Sequence, residues 1–544
     1  MSNLPLRLRL NQFNLNLEMI ETSLQKVTIE ENLEQFLLVL LVALSVAILP
    51  QIINWFRRIP YTLLLVIVGL GLAYADVRLV QLSPELILLI FLPPLLFEAA
   101  WNLKWSRLKQ DLIPICLYAV FGTIIAIAGV AIGLNQLAGL SVTTALLIGA
   151  SLAATDPVSV TALFRELGVD KRLTTLMEGE SLFNDGMAVV AFGFVVAFSQ
   201  GTANLAIGAI VTQLVLVVGI GLVAGSLIGF GISYLTQRFD LPLVEQSLTL
   251  VAAYGSYLIA EKFGGSGVMG VVTTGLILGN FGSRIGMNPR TRVIVSEFWE
   301  FLSFFVNSIV FLLIGDRIRF AVLAENWVTI GVTIVAMILA RAIGIYGLGS
   351  LSNRLAGAEI SIPERTVLWW GGLRGAVSIA LALSVPENIP GRDTIVASVF
   401  GTVLFTLLVQ GLTIQPLLAR LNLLGDQPMR QYYLEIVARQ TALNRVLSHL
   451  GEIVGESSPL ENRHPGIEPD FYQYQVSLAQ GELTRLQTEL ADLQNDYPDL
   501  QTIIAEQLRD ELLEIEAETY AELVQAGRLD RELSLLMEVA KREE

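Results

Sequence analysis

The chain has 544 residues, 53% of them hydrophobic and only 16% charged, with a mean hydropathy of +0.62. Soluble globular chains carry roughly 25% charged residues, so this composition excludes an ordinary soluble domain. The net charge of −15 is concentrated beyond residue 420, where 24 Asp and Glu face 10 Lys and Arg, which argues against nucleic acid or anionic lipid as partners there.

Residues 1–32 form a polar segment with Arg7 and Arg9 and no long apolar core, unlike a signal peptide. From residue 33 to 420 about 13 apolar runs follow, each long enough to cross a hydrocarbon layer of ~30 Å. The first set is 36–55, 61–75, 84–102, 112–134, 142–164, 174–199 and 204–236. The second is 244–262, 265–282, 296–316, 325–350, 365–386 and 393–420. The 204–236 run is long for one crossing and predicts tilt or an interfacial extension. With the N-terminus outside, alternate loops hold 14 Lys and Arg on the cytoplasmic side against 5 opposite; Arg7, Arg9 and Lys26 narrow that margin without reversing it. The positive-inside rule then places the C-terminal tail in the cytoplasm. These features predict an all-α membrane protein built from inverted repeats with two crossing interrupted helices, ending in a soluble helical tail.

That tail, 421–544, carries Leu483, Leu486, Leu490, Leu493 and Leu500 at helical spacing, with Pro459, Pro465 and Pro469 marking a break before them. The pattern predicts an amphipathic helix packing on itself or on a second tail. The one cysteine, Cys116, lies in an apolar run, and both histidines, His449 and His464, lie in the tail. Haem, His-ligated zinc and Ser–His catalysis are thereby excluded from the membrane part, and no cofactor is expected.

An ionisable side chain at the centre of a span costs about 2.5–3.5 kcal/mol on insertion scales, so each one needs a role. Those deep in the runs are Glu98, Asp156, Glu180, Asp185, Arg341 and Arg374. In Gly179-Glu180-Ser181-Leu182-Phe183-Asn184-Asp185-Gly186, Ser181 and Asp185 share one helix face, as do Glu180 and Asn184. A hydroxyl and a carboxylate one turn apart supply oxygen ligands suited to a hard cation such as Na⁺. Two carboxylates this close repel unless a proton, a cation or an arginine intervenes, and Arg374 is a candidate partner. Thr155-Asp156-Pro157 interrupts another run, because proline removes a backbone donor and clashes with the preceding turn. Freed carbonyls at that depth are tolerated where they line a cavity or bind something. Gly371-Gly372-Leu373-Arg374-Gly375 is the counterpart in the second half, and paired interrupted spans point to an inverted-repeat transporter. Arg374 is then placed to neutralise either helix-end dipoles or a carboxylate at the crossing.

In the stretches FLPPLLFEA (91–99), SLAATDPVSV (151–160), GESLFNDG (179–186) and WWGGLRGAVSIAL (369–381) the chain closely resembles the monovalent cation:proton antiporter-1 family, the NhaP and NHE type of sodium/proton exchanger. The resemblance implies a homodimer whose protomer has 13 spans, divided into a dimerisation part and a six-helix core. It implies that Asp185 alternately binds cation and proton, that Asp156 is the second core carboxylate, and that Thr155 and Ser181 help form the Na⁺ site. Glu98 resembles an acid completing the site, Asn184 the residue typical of this branch, and Glu180 with Arg374 a structural ion pair.

The expected function is secondary transport exchanging Na⁺ (or Li⁺) for H⁺, without enzymatic chemistry, in a prokaryotic inner membrane. With Asn184 in place of a second acid beside Asp185, one fewer charge titrates, which predicts electroneutral 1:1 exchange. Alternatives are K⁺/H⁺ exchange, or a membrane sensor that signals through the acidic tail without moving ions.

Overall fold

The computed structural model describes residues 34–49, 60–75, 86–202, 207–238, 241–317, 319–424, 427–455 and 469–496, with a few isolated positions besides. The described residues form helices joined by turns and short irregular stretches, without a strand among them. The polar segment 1–32, Leu500 of the tail pattern, and the prolines Pro459 and Pro465 lie outside them. Two compact units are present, one carrying the membrane helices up to Leu423 and the other the tail helices from Leu424 on.

The first unit begins with α1 (Glu34–Leu49), α2 (Tyr61–Tyr74), α3 (Leu86–Asn102) and α4 (Leu112–Leu137). A broken pair follows, α5 (Val142–Ser151) and α6 (Val158–Leu167), then α7 (Lys171–Ser199), α8 (Ile207–Thr236) and α9 (Pro242–Lys262). Next come α10 (Gly267–Gly282) and α11 (Pro289–Asp316), then α12 (Trp327–Ala356). A second broken pair, α13 (Ile362–Trp370) and α14 (Ala376–Leu383), precedes α15 (Arg392–Arg420). Six helices of the described residues are long and apolar enough to cross a membrane on their own. Ile207–Thr236 of the long run form one continuous 30-residue helix, α8.

Local chemistry sets the helix starts. Ser141, Asp170, Ser266 and Asn288 each accept a backbone N–H from the first turn of α5, α7, α10 and α11. Ser361 and Glu364 close a reciprocal capping box at α13. π-helical turns open α3, close α10 and interrupt α4 and α15, the last at Thr406–Gln410.

Packing separates the helices into two groups. In one, α4, α5, α7, α12, α14 and α15 pack on one another; in the other, α2, α3, α8, α9, α10 and α11 do. Lipid is as apolar as leucine, so association relies on close backbone approach through small residues. Gly69 on α2 illustrates this, since a Cβ there would lie 3.0 Å from the Asp316 nitrogen and nearer still to the Leu312 carbonyl of α11. The outer faces are apolar, with Leu216, Val223 and Leu227 of α8 and Val335, Leu339 and Ile343 of α12 exposed, while Glu180, Asp185 and Arg374 are buried. Apolar outside and charged inside is the arrangement a bilayer selects.

The tail unit contains α16 (Gln427–Gly455) and α17 (Pro469–Asp496), which pack together. Leu486 is buried and Leu483, Leu490 and Leu493 half-buried, so the leucine spacing marks a packed face. The partner helix α16 was not apparent from that spacing; it offers Tyr433 and Ile436, both buried. Gln494 donates to the Tyr433 hydroxyl at 2.7 Å, and the Tyr432 hydroxyl donates to Glu489.

Candidate ion site at the crossing of two broken helices

Between Ser151 and Val158, and again between Trp370 and Ala376, the chain leaves the helix for an irregular path. The two breaks meet. The Asp156 amide donates to the Leu373 carbonyl at 2.9 Å, joining the breaks as a two-stranded pair would. Arg374, 1% exposed, donates through one guanidinium nitrogen to the carbonyls of Ala153 at 3.1 Å and Ala154 at 3.0 Å. Ser378 adds a bond to the Ala154 carbonyl at 3.3 Å, and the Arg374 amide is taken by Thr406 Oγ1 at 3.1 Å, at the π-helical turn of α15. Carbonyls freed where α5 ends thus find a cation and a hydroxyl, which is what burial of unpaired backbone requires. Close approach also demands Gly375, since a Cβ at that position would collide with the Asp156 side chain.

Helix α7 crosses behind the breaks and fastens to Thr155. Asn184 accepts the Thr155 amide at 3.2 Å and donates to its hydroxyl at 2.6 Å, while the Ser181 hydroxyl donates to its carbonyl. Asn184 also donates to Glu180 at 3.3 Å. Glu180, 3% exposed, forms a two-pronged pair with Arg341 of α12, both N–O distances being 3.0 Å. Arg341 donates further to the carbonyls of Trp369 at 3.1 Å and Leu368 at 2.9 Å at the end of α13.

This corrects the expected pairing of Glu180 with Arg374. The salt-bridge partner of Glu180 is Arg341, and Arg374 is directed at backbone carbonyls. A guanidinium carries its donors in a rigid planar fork, which suits Arg341 to a carboxylate met face on and Arg374 to adjacent carbonyls of an unwound turn. Of the two tasks open to Arg374, its hydrogen bonds serve the helix-end carbonyls, while its charge also acts on Asp185.

A cavity of about 530 Å³ opens between the two helix groups, and Glu98, Thr155, Asp156, Ser181 and Asp185 all line it. The five cation-facing residues expected from sequence are therefore brought to one space, while Asn184, Glu180 and Arg374 sit behind it. Asp156 Oδ1 accepts the Val158 amide at 3.1 Å, capping α6. Asp185 is 8% exposed, and its Oδ1 has no hydrogen-bond partner among the described residues. A buried carboxylate oxygen left bare costs several kcal/mol unless a proton, a cation or water meets it. Glu98 is half-buried on α3 and accepts from Asn102 at 2.5 Å. Nearby, Arg165 and Glu178 form an ion pair at 2.7 Å on the cavity wall. Sequence reasoning noted Arg341 as a buried charge but gave it no partner, and it passed over Ser303, Asn307 and Ser378, which also line the cavity. Serine and asparagine in a helix carry no signal of their own; only the fold shows which way they face.

Residues 39–420 match the family model described as "Sodium/hydrogen exchanger, transmembrane". The Na(+)/H(+) antiporter ApNhaP of Aphanothece halophytica is 59% identical over 527 residues, spanning 96% of this chain and 100% of that protein. The low-affinity Na(+)/H(+) antiporter NhaS1 of Synechocystis sp. is 52% identical over 517 residues, spanning 94% of this chain and 97% of that one. Both alignments run on past residue 420 into the tail, beyond the reach of the family model. The solved structure of the sodium proton antiporter MjNhaP1 from Methanocaldococcus jannaschii superimposes with a TM-score of 0.60 at 21% identity, covering 72% of this chain and 99% of that one, and so shares the fold. With the crossing of broken helices, the acids at one cavity and the family match all in place, the chain belongs to the sodium/hydrogen exchanger family.

Proposed function

We propose that the chain is a secondary transporter that exchanges Na⁺ for H⁺, with Asp185 as the group that both ions occupy in turn. The observation that carries this is that Asp185, whose buried Oδ1 has no hydrogen-bond partner among the described residues, lines a cavity shared with Asp156, Thr155 and Ser181. Asp156 and Ser181 supply further oxygen ligands for the cation. Thr155, whose carbonyl accepts from Ser181 and whose hydroxyl accepts from Asn184, keeps lone pairs directed at the same space. Glu98 stands on α3 in the other helix group and completes the entry side of the site.

Charge balance supports one-for-one exchange. Glu180 and Arg341 neutralise each other, which leaves Arg374 against Asp156 and Asp185 in the core group. With both aspartates ionised that core carries one net negative charge, and either one Na⁺ or one H⁺ brings it to zero. A core that is neutral with either ion and charged with neither crosses loaded and stays put when empty, because a bare charge at that depth is costly. Movement of the core group against α2, α3 and α11 would supply alternating access. Asn184 keeps this balance, since an acid there would add a charge.

The same proposal assigns residues 33–420 to the antiporter domain and 421–544 to a helical tail. It counts about 13 crossings, each broken pair taken as one. The excess of Lys and Arg in alternate loops supports a cytoplasmic tail, and the family resemblance supports a homodimer in a prokaryotic inner membrane. Proteoliposomes with a trapped pH gradient test the function: addition of Na⁺ or Li⁺ should collapse the gradient, and Asp185→Asn should abolish the response without changing elution in detergent. A wild-type protein that moves no protons under any of Na⁺, Li⁺ and K⁺ would refute it.

A further inference from the structure

The cavity has two walls, and only one belongs to the core. On the opposite wall, α11 presents Ser303 and Asn307, one turn apart on the same face. Each is 7% exposed, and neither side chain makes a hydrogen bond among the described residues. Buried amide and hydroxyl groups are almost always paired, so two such groups open to one cavity mark a place where something else provides the partner.

Their level relative to the acids follows from a chain of contacts. Asp156 caps α6, and Ser159, in the first turn of that helix, meets Thr62 of α2 at 2.5 Å. Beside Thr62, Tyr61 bonds to Ser308 at 2.8 Å and stacks on Phe304 at a centroid distance of 5.0 Å. Ser303 and Asn307 flank those two α11 residues in sequence, so they face the cavity at the level of Asp156.

We infer that Ser303 and Asn307 are specificity-determining residues that offer oxygen ligands, directly or through retained water, to a monovalent cation bound at Asp156 and Asp185 from the cavity face. The inference rests on the exchange reading above and deepens it. Sodium takes several oxygen ligands; Asp156, Asp185, Thr155 and Ser181 approach it from the core side, and Glu98 of α3 stands at the entry side. The α11 hydroxyl and amide carbonyl supply the opposite side without adding charge, so they leave the one-for-one balance untouched. Because α11 packs with the other helix group, these ligands are lost when the core moves away. They strengthen cation binding from the cavity face only, and they bear on which cation fits.

The test uses the full-length protein in proteoliposomes of defined orientation. Asn307→Ala and Ser303→Ala should each raise KM for Na⁺ about five-fold when Na⁺ is offered at the cavity face, in line with one lost polar contact. The maximal rate should stay within about two-fold and KM at the opposite face should not move, while the Na⁺ to Li⁺ preference changes. Asn307→Gln and Ser303→Thr should recover much of the loss. If Asn307→Ala fails to purify as a folded protein, Asn307→Ser is measured against the same criteria. An unchanged KM and unchanged Na⁺ to Li⁺ preference would mean that only bulk cavity water meets these groups, and the inference falls. An equal change at both faces would mean that they act through the fold, and it falls as well. A wild-type protein without cation-dependent proton flux removes the exchange reading itself, an outcome distinct from both.

Discussion

Asn184 holds Thr155 at two points, accepting its amide at 3.2 Å and donating to its hydroxyl at 2.6 Å. One amide side chain on α7 therefore fixes both the backbone and the side chain of the residue preceding Asp156. Asn184→Ala leaves the Thr155 amide and hydroxyl unpaired in a buried place, at a cost of about 1–3 kcal/mol. Thermal unfolding in detergent should show the loss of stability, and the transport rate should fall further than the stability does, because the Thr155 oxygens lose their aim. An activity equal to wild type would show that the tether has no part in transport.

The Glu180–Arg341 pair is buried and two-pronged, so removal of either partner strands a charge. Glu180→Gln and Arg341→Gln should each destabilise the protein by roughly 3–5 kcal/mol, with the double variant far less damaged than the sum. A cycle between Glu180 and Arg374 should give a smaller coupling, since Arg374 spends its hydrogen bonds on Ala153 and Ala154. Equal couplings would overturn the pairing described for Glu180.

Gly375 admits the Asp156 side chain where a Cβ would collide with it. Gly375→Ala should push the two breaks apart and displace Asp156, with transport reduced by at least about ten-fold, as sub-ångström misplacement of reacting groups commonly does. Gly231 on α8, around which a Cβ meets open space, serves as the control: Gly231→Ala should retain full activity.

Competition for one carboxylate has a signed pH dependence. As pH falls, protons occupy Asp185 and the apparent KM for Na⁺ should rise, approaching about ten-fold per pH unit where the proton dominates. As pH rises, KM should level off at its proton-free value. Initial rates across a pH series at varied Na⁺ check this; a KM that is flat while the maximal rate varies would place the proton on a different group.

Much of the site was legible in the sequence because a membrane penalises buried charge so heavily. Asp156, Asp185 and Glu180 stand out against apolar runs, and Pro157 and the glycines around Arg374 announce two breaks without any reference to tertiary contacts. Partners were another matter. Arg341 and Arg374 are both single arginines in apolar runs, and helical spacing does not reveal which one faces Glu180 across more than 150 residues of chain. In the tail, leucine periodicity marked α17, whereas the packed face of α16 is built around Tyr433 and Ile436, which a search for spaced leucines passes over.

The acids themselves, their depth and the two helix breaks were determined by the sequence alone, because insertion cost and proline geometry are local properties of the chain. Which arginine meets Glu180, and that Ser303 and Asn307 line the same cavity as Asp185, were decided only by the tertiary structure. Those relationships depend on how helices distant in sequence are rotated against each other, and rotation is set by packing across the whole bundle rather than by any one segment.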